Sequence, residues 1–329
     1  MARARYPEVA PEDGHYESFY LKAGHPEQPL AVWIRYTVHK RPGAPARGSI
    51  WFTLFDGQGE GPLATKATLP PAELSVPPGG YIRIGEATFA PDRVEGSVAS
   101  ELLAASWKLE VEPGGEPYRH LPREWMYRAQ VPRTKLESPQ PGARVSGVVG
   151  LDERRIELDG WPGMVGHNWG AQHAERWIWL HGSSFGERDR RTWFDAALGR
   201  IKLGPLTTPW IGNAMLSLDG ERHRLGGIER IRSTEVGETP RGCELAIAGT
   251  GVTIFGSVRA DPKDLVGWLY ADPDGPEHHT VNCSIARMRL VVRRDGRPDA
   301  ELETAHGATY ELGMRERDHG VPIQPFPDG

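Results

Sequence analysis

The chain has 329 residues, of which 38% are hydrophobic and 25% charged, and its formal net charge is −5. This composition is typical of a folded globular protein, no segment approaches the run of about 20 apolar residues that a transmembrane helix needs, and the acidic balance excludes an overall basic surface for nucleic acid. We therefore expect neither a transmembrane segment nor a nucleic-acid partner.

The N-terminal segment and the cysteines bear on location. Acidic side chains at Glu8, Glu12 and Asp13 stand where a signal peptide would have its apolar segment, so no export signal is expected. Only Cys243 and Cys283 are present, which fits a reducing compartment, although the sequence leaves open whether the two form a disulfide. These observations predict a cytoplasmic protein.

The segments between the 40 glycines and 29 prolines have the pattern of strands and are rich in β-branched and aromatic residues. Helix is expected only as short pieces, with candidates at residues 70–74 and 261–265. In chain order, the clearest predicted strands are residues 30–38, 48–55, 81–84, 93–98, 105–111, 176–181, 192–197 and 286–292. The pattern predicts an all-β protein.

A length of 329 residues exceeds what one hydrophobic core usually supports, so two domains or one large two-part β structure are expected. The proline-rich residues 131–142 favour an extended connection between the halves. We place the domain boundary there, giving domains at 1–137 and 138–329. Beyond it, residues 143–150 and 154–159 alternate around Asp152 and predict a hairpin. Two antiparallel barrels in tandem, each able to enclose a small ligand, are the expected architecture.

In the first half, residues 33–38 alternate strongly, with Trp33, Arg35 and Thr37 on one face. An arginine in a row with tryptophan can stack on its ring. The simplest interpretation of this row is an ordinary barrel wall.

The region richest in aromatic and ionisable side chains is residues 161–195, which contains five of the 11 tryptophans and three histidines. Tryptophan presents a large apolar surface, whereas ionisable groups are costly to bury unless they are paired. The mixture indicates the lining of a pocket, although tight packing of the tryptophans against protein is an alternative.

Within this region, the glycines that flank residues 166–170 allow the backbone to approach a neighbour closely. His167 and Asn168 are therefore candidates for fixed polar groups at a pocket mouth, with Trp169 beside them. A tight turn satisfied by its own side chains is the alternative. Glu175 and Arg176 follow, and they either contribute to the pocket, pair with each other or face solvent.

Two strands supply the strongest candidates for chemistry. Alternation places Trp177, Trp179 and His181 on one face of the first, and Trp193 and Asp195 on one face of the second. If the strands pair as a hairpin through residues 182–191, Asp195 approaches the row that contains His181. Desolvation would then raise the pKa of Asp195 and suit it to donate a proton, whereas pairing with Arg176 or His181 would let it orient the imidazole. The alternatives are an Asp195 that faces solvent and a His181 that bonds a backbone carbonyl in the core.

Other chemistries lack a signal. The spacings of His167, His173 and His181 match no compact zinc motif, and His278 and His279 belong to an acidic stretch expected to be an exposed loop. Phosphate-loop and dinucleotide fingerprints are absent from the sequence. We therefore predict neither a metal nor an organic cofactor.

The residues resemble a known superfamily. Residues 16–23, 31–37, 132–139, 166–170 and 175–179 are similar to bacterial members of the lipocalin-like superfamily that includes carotenoid 1,2-hydratase (hydroxyneurosporene synthase), tocopherol cyclase and attH-like proteins. The resemblance implies two tandem lipocalin-like barrels. It also implies addition of water or of an internal hydroxyl across a carbon–carbon double bond, which needs an acid, an aromatic enclosure and exclusion of water.

Together, these inferences predict a hydrophobic small-molecule ligand, isoprenoid or polyene-like, in an aromatic pocket of a hydratase or cyclase. The alternatives are a non-catalytic carrier of lipid or isoprenoid, and a structural protein. The oligomeric state is left open by the sequence. The expected catalytic residues are Asp195, His181, His167 and Glu175, and the expected ligand-binding residues are Trp169, Trp177, Trp179, Trp193, Asn168 and Arg176.

Overall fold

The computed structural model describes residues 2–101, 103–186 and 191–327, and strands make up about 60% of the chain against 6% helix. The predicted all-β class is confirmed. The strands are β1 (His15–Gly24), β2 (Leu30–Lys40), β3 (Arg47–Asp56), β4 (Leu63–Leu69), β5 (Leu74–Ser75), β6 (Ile82–Ile84), β7 (Ala87–Phe89), β8 (Arg93–Ala99), β9 (Ala104–Glu112), β10 (Tyr118–Arg119), β11 (Thr134–Leu151), β12 (Arg154–Gly170), β13 (Arg176–Gly182), β14 (Trp193–Arg200), β15 (Lys202–Leu203), β16 (Leu206–Thr207), β17 (Ile211–Leu218), β18 (Glu221–Gly226), β19 (Glu235–Thr239), β20 (Gly242–Ala248), β21 (Val252–Arg259), β22 (Val266–Ala271), β23 (Glu277–Arg294) and β24 (Ala300–Met314).

The helices of the described chain are short 3₁₀ turns at Tyr6–Glu8, Pro71–Glu73, Glu124–Tyr127, Ile228–Ser233 and Pro262–Asp264. Two of them fall on the predicted helix candidates. Each of those two has proline at its first position, where the missing N–H costs nothing and the fixed φ suits the turn.

The first sheet is antiparallel and has the order β4-β3-β2-β1-β12-β11-β9-β8-β7-β6-β5, with β10 paired to β11. It curls until it is nearly closed, and β4 approaches β8. The interior is filled by side chains such as Phe19, Phe52 and Trp107, which are almost fully buried. This core stabilises the first half.

The second sheet has the order β18-β17-β14-β13-β24-β23-β21-β20-β19, with β22 paired to β23. Leu225 in β18 forms an antiparallel bridge with Gly249 after β20, so the two ends of the sheet meet. Its core also takes in Trp33 and Trp51, which project from the outer face of the first sheet. The two nearly closed sheets therefore pack through a shared aromatic layer, and the predicted tandem barrels are confirmed.

The proline-rich segment differs from the predicted connection, because it is part of β11. The predicted boundary between residues 137 and 138 falls inside that strand. Pro139 and Pro141 lie where the register of β11 against β12 shifts, after Glu137 and again after Gln140. A bulge leaves a residue out of the ladder, so proline is tolerated there without a lost hydrogen bond. The chain passes from the first sheet to the second only after β12.

The hairpin predicted around Asp152 is present as β11 and β12, and Asp152 adopts a positive φ of 46° in its turn. The hairpin predicted between β13 and β14 is also present, and it pairs His181 with Asp195. Part of its connection, residues 187–190, lies outside the described residues.

The structure bears on the predicted location of the protein and on whether its two cysteines form a disulfide. No helix in the described part of the chain has the length and apolar character to span a bilayer, and the cytoplasmic location stays a prediction. Cys243 and Cys283 are both buried and both free. They therefore do not form a disulfide.

A glycine tests the bulged hairpin. Gly147 has a φ of +130° at a register shift of β11, and a Cβ there would overlap the carbonyl oxygen of Lys108. We expect Gly147→Ala to lower the free energy of unfolding by about 3 kcal/mol, measured by urea denaturation. Gly43→Ala is the matched control, because Gly43 also has a positive φ, +71°, with open space around it. Equal effects of the two changes would contradict the assigned bulge.

Candidate functional site

A cavity of about 1010 Å³ lies between the two sheets. Its walls are mainly apolar, and both sheets contribute to them. The aromatic side chains that line it are Tyr20, Trp33, Trp125, Trp177, Trp179 and Tyr270. Residues of both sheets are needed to enclose this volume.

The outer part of the cavity has an apolar rim. Trp125, Val131, Leu203 and Ile228 contribute to its lining and are also more than half exposed. Large exposed apolar groups gathered at an opening are typical of a binding site for an apolar molecule.

Asp195 is completely buried beside the inner wall. Its Oδ2 accepts a hydrogen bond of 2.5 Å from Ser138 Oγ, and its Oδ1 accepts one of 3.3 Å from Trp179 Nε1. His120 Nε2 lies 3.3 Å from Oδ2 and 3.1 Å from Ser138 Oγ. Burial alone would raise the pKa of Asp195, but His120, His181 and Ser138 together hold it below its ordinary value. Of the two roles expected for Asp195, the geometry favours the paired carboxylate.

His120 is the link between this carboxylate and the cavity. Its side chain lines the cavity wall, and its Nδ1 lies 3.4 Å from the backbone oxygen of Asn213. The contacts with Asp195, Ser138 and Asn213 therefore fix the orientation of the His120 ring at the cavity wall.

A second histidine–aspartate pair lines the same cavity. Asp272 Oδ1 accepts a hydrogen bond of 2.8 Å from His173 Nδ1 and another of 2.7 Å from the His173 backbone N–H. The His173 ring stacks on Tyr16 and Trp177, with centroids 3.9 and 5.3 Å away. The bond to Asp272 fixes the tautomer with the proton on Nδ1, which leaves Nε2 as the basic nitrogen.

The same pair belongs to a group with metal-ligand chemistry. His173, Asp272 and His278 are all buried, and each offers a ligand atom within 4.8 Å of the others. His278 lies in β23 and is fully buried, which corrects the expected exposed loop. Burial, His173 and Arg315 lower the pKa of His278 to about 3, so its ring is neutral. Among the described residues, these three could hold a metal ion, although Arg315, 3.7 Å from Asp272, already compensates the carboxylate.

His181 lies away from the cavity wall. It is fully buried, and its Nε2 donates a hydrogen bond of 2.9 Å to the carbonyl oxygen of Pro141. Burial and the nearby Lys22 lower its pKa to about 4. The neutral ring bonded to a backbone carbonyl matches the core alternative considered for this residue, and it fixes the bulged segment of β11 against β13.

His167 also lies elsewhere, on the face of β12 opposite Asn168. Its Nε2 is 2.8 Å from Glu17 Oε1 and its Nδ1 is 3.1 Å from Glu137 Oε1. The ring stacks between Phe19 and Trp169, with centroids 4.1 and 4.5 Å away. Burial would raise the pKa of Glu17, but bonds from His15 and His167 outweigh burial and lower it to about 2. This is a second buried ionic cluster, inside one end of the first sheet.

Some of the remaining predicted site residues line the cavity, and others lie elsewhere. Four of them line the cavity: Asn168, Glu175, Trp177 and Trp179. Trp169 stacks on His167 instead, and Trp193 packs with Tyr118 and Met215. Arg176 forms ion pairs with Glu238 and Glu316. It therefore neither pairs with Asp195 nor lines the cavity.

Several polar residues of the site were missed from the sequence. His120, Arg35, Tyr270, Asp272 and Glu311 all contribute to the cavity or its pairs, and they come from segments far from residues 161–195. The row of Trp33 and Arg35 was the one local signal, and it was interpreted as barrel wall.

Comparisons with known proteins agree with the fold. Two curated proteins of Mycobacterium tuberculosis, MT0513 and Rv0493c, both uncharacterised, are each 26% identical over 309 residues, which is 92% of this chain and 87% of theirs. No family model matches the sequence.

Solved structures are similar over nearly the whole chain. An AttH-like protein of Nitrosomonas europaea has a TM-score of 0.55 at 13% identity, covering 95% of this chain and 97% of that one. CghA, solved with Sch210972, has a TM-score of 0.52 at 14% identity, covering 92% and 88%. Kievitone hydratase from Nectria haematococca also scores 0.52, at 9% identity, covering 91% and 89%. These likenesses, all below 25% identity, show that the chain shares the fold of these proteins.

The cluster around His167 makes a prediction about pH. Because the folded pKa of Glu17, about 2, lies below its ordinary value of 4.5, ionised Glu17 stabilises the fold above pH 4.5 and loses this effect as the pH falls toward 2. We expect Glu17→Gln to cost about 3 kcal/mol of unfolding free energy at pH 7 and progressively less below pH 4.5 in urea titrations. The exposed Glu8→Gln is the control and should cost little. A Glu17→Gln cost that does not change with pH would contradict the assignment.

Proposed function

We propose that the protein binds a hydrophobic, isoprenoid or polyene-like molecule in the cavity between its sheets and catalyses acid-assisted hydration or cyclisation at a carbon–carbon double bond. One observation carries the proposal. Two buried histidine–aspartate pairs, His120 with Asp195 and His173 with Asp272, both present their imidazole rings at the wall of one aromatic cavity.

The chemistry of hydration explains why two pairs are useful. An acid gives its proton to one carbon of the double bond, the oxygen of water bonds the other carbon, and a base takes the proton that this water releases. One protonated and one neutral imidazole can fill these roles on a single substrate. In cyclisation, an internal hydroxyl takes the place of the water.

The aromatic walls suit the charge that develops. Protonation of a double bond leaves a carbocation, which the faces of tryptophan and tyrosine stabilise. Trp177, Trp179 and Tyr270 supply such faces in the cavity. The apolar walls also limit the water that can capture the cation early.

The fold supports this proposal only by analogy. One similar structure is a hydratase by its own description, kievitone hydratase, and its likeness to this chain is in the fold. In the proposed mechanism Asp195 positions His120, Trp177 and Trp179 bind the ligand, and Asn168 and Glu175 are polar groups of the wall. Neither His181 nor His167 has a catalytic role in the proposed mechanism.

A turnover experiment tests the acid–base assignment. Native mass spectrometry of the protein purified from its own host should reveal a bound apolar molecule, and incubating that molecule with fresh protein in D₂O should add one deuterated water, or one deuteron on cyclisation. We expect His120→Gln and His173→Gln each to reduce turnover by about 100-fold or more, with ligand affinity nearly unchanged.

The control is His223→Gln, because His223 lies in β18 and is not part of the cavity wall. It should retain full turnover. Unchanged turnover in both cavity variants would refute the acid–base proposal. Tight binding without any turnover in the wild type would favour the carrier alternative.

A tryptophan tests ligand binding separately from catalysis. Trp179 lines the cavity, whereas Trp107 is buried in the interior of the first sheet, where it stacks on Phe52. Trp179→Ala should weaken binding of the bound molecule by about 2 kcal/mol, roughly 30-fold. Trp107→Ala should lower the melting temperature and leave affinity unchanged. Unchanged affinity of Trp179→Ala in calorimetric titration would remove Trp179 from the site.

A further inference from the structure

Arg35 is a buried cation in the cavity wall that has no carboxylate partner in the part of the chain that the structure describes. It lies in β2, contributes to the cavity lining, and is only 5% exposed. Its Nε donates a hydrogen bond of 2.6 Å to Ser18 Oγ, whereas its Nη1 is buried without a partner. Among the described residues, no aspartate or glutamate forms an ion pair with it. Buried charges are costly unless they are paired, so this arrangement calls for a missing partner.

The surroundings hold the guanidinium in place without neutralising it. Its central carbon lies 4.0 Å from the centre of the Tyr270 ring and 5.2 Å from that of Trp51. Lys66 is a second cation at the Trp51 ring, and its Nζ lies 3.8 Å from the ring centre. The aromatic faces attract both cations, but they carry no net charge of their own.

The two acidic residues in the described lining of the cavity, Glu175 and Glu311, are already engaged, Glu175 with Arg315 at 3.5 Å. Glu311 accepts hydrogen bonds from Trp177 Nε1 at 3.0 Å, Tyr270 Oη at 3.2 Å and Asn282 Nδ2 at 3.0 Å. Three donors satisfy its carboxylate without help from Arg35. In the same lining, Trp33 Nε1 is a buried donor without a partner. Two unused donor groups, one of them cationic, therefore belong to one cavity.

We propose that Arg35 and Trp33 form a subsite for the anionic end of the ligand, a carboxylate carried by an otherwise apolar molecule. This inference rests on the proposed function and specifies its substrate class. A guanidinium presents two parallel N–H groups that match a carboxylate, and an indole N–H can add a third bond. The aromatic walls and the apolar rim would enclose the hydrocarbon part.

Anchoring at Arg35 has a consequence for the reaction. A carboxylate held by the guanidinium fixes which double bond of a long chain stands beside His120 and His173. Positioning of this kind supplies a large share of catalytic power, because it removes rotational freedom before the reaction begins. Arg35 therefore binds and orients the substrate without donating or accepting a proton in the reaction.

Retinoic acid and retinol test the subsite, because they share one polyene skeleton and differ in carboxylate against hydroxyl. Dissociation constants are measured by quenching of tryptophan fluorescence above pH 7, where the acid is ionised. We expect the wild type to bind retinoic acid at least about tenfold more tightly than retinol. In Arg35→Gln this preference should vanish through loss of affinity for the acid, while affinity for retinol stays within about twofold.

Two further variants act as controls. Arg133→Gln removes an exposed positive charge from the outer lining of the same cavity, and it should keep the full preference for the acid. Arg35→Lys retains the charge but loses the two-pronged geometry, so it should keep part of the preference. Circular dichroism confirms that each variant is folded, and Arg35→Lys keeps the test decisive if Arg35→Gln fails to fold.

The outcomes separate the two proposals. A wild type that binds both retinoids equally, or an Arg35→Gln protein that still prefers the acid, overturns the anionic subsite and leaves the proposed function standing. If the preference for retinoic acid disappears equally in Arg133→Gln, it arises from the overall positive charge of the cavity and not from Arg35. This result also overturns the subsite. Failure of the wild type to bind either retinoid counts against the apolar cavity itself, and both proposals fall together.

Discussion

The cavity depends on one contact between the sheets, made by the bulged segment of β11. Ser138 donates to Asp195, and the Pro141 carbonyl accepts from His181, so the first sheet supplies hydrogen bonds that two buried polar residues of the second sheet require. The fully buried carboxylate of Asp195 would destabilise the fold without the hydrogen bond that Ser138 donates. The prolines that interrupt the ladder make this possible, because the bulges turn side chains and carbonyls of β11 away from β12 and toward β13 and β14. The two halves are thereby fixed at the distance that leaves the cavity between them.

The electrostatics of the site follow from the same packing. Two buried carboxylates near the cavity have their own hydrogen-bond donors: Asp195 has Ser138 and Trp179, and Asp272 has His173. These bonds and the neighbouring histidines hold the pKa of both carboxyl groups below the ordinary value although burial alone would raise it. Arg35 is the exception, since its cation is held by rings and one hydroxyl. Under the two proposals, the histidines would transfer protons at one part of the cavity wall and Arg35 would hold an anion at another.

The sequence predicted the fold well because its signals were local. Alternation identified the strands, and it predicted a hairpin that brings Asp195 near the row containing His181, where the structure pairs the two residues. The site was predicted less completely, because its polar pairs join strands from distant parts of the chain; His173 and Asp272 are 99 residues apart. Local rules also misassigned residues whose partners are remote. The prolines of β11 indicated a linker, although they occupy bulges, and the acidic neighbours of His278 indicated a loop, although its ring is buried beside His173. Arg35 was interpreted as part of a barrel wall. The Tyr270 ring that covers it belongs to β22, so nothing near Arg35 in the sequence indicates this contact.

A protein that only carried an apolar ligand would gain little from this arrangement. Affinity for a hydrocarbon follows from aromatic and aliphatic surface, and every buried ionisable group subtracts from stability unless its partners compensate. Here a single cavity wall contains two histidines, each paired with a buried aspartate, and an arginine that has no counter-ion among the described residues, and an apolar lining could replace all of these groups with more stability. Departures from the most stable packing concentrate at functional sites, where charge is held ready for a reaction or a ligand. The proposed chemistry would account for the cost of burying these groups, because the rings would enclose the carbon skeleton of a ligand and the histidines would exchange its protons.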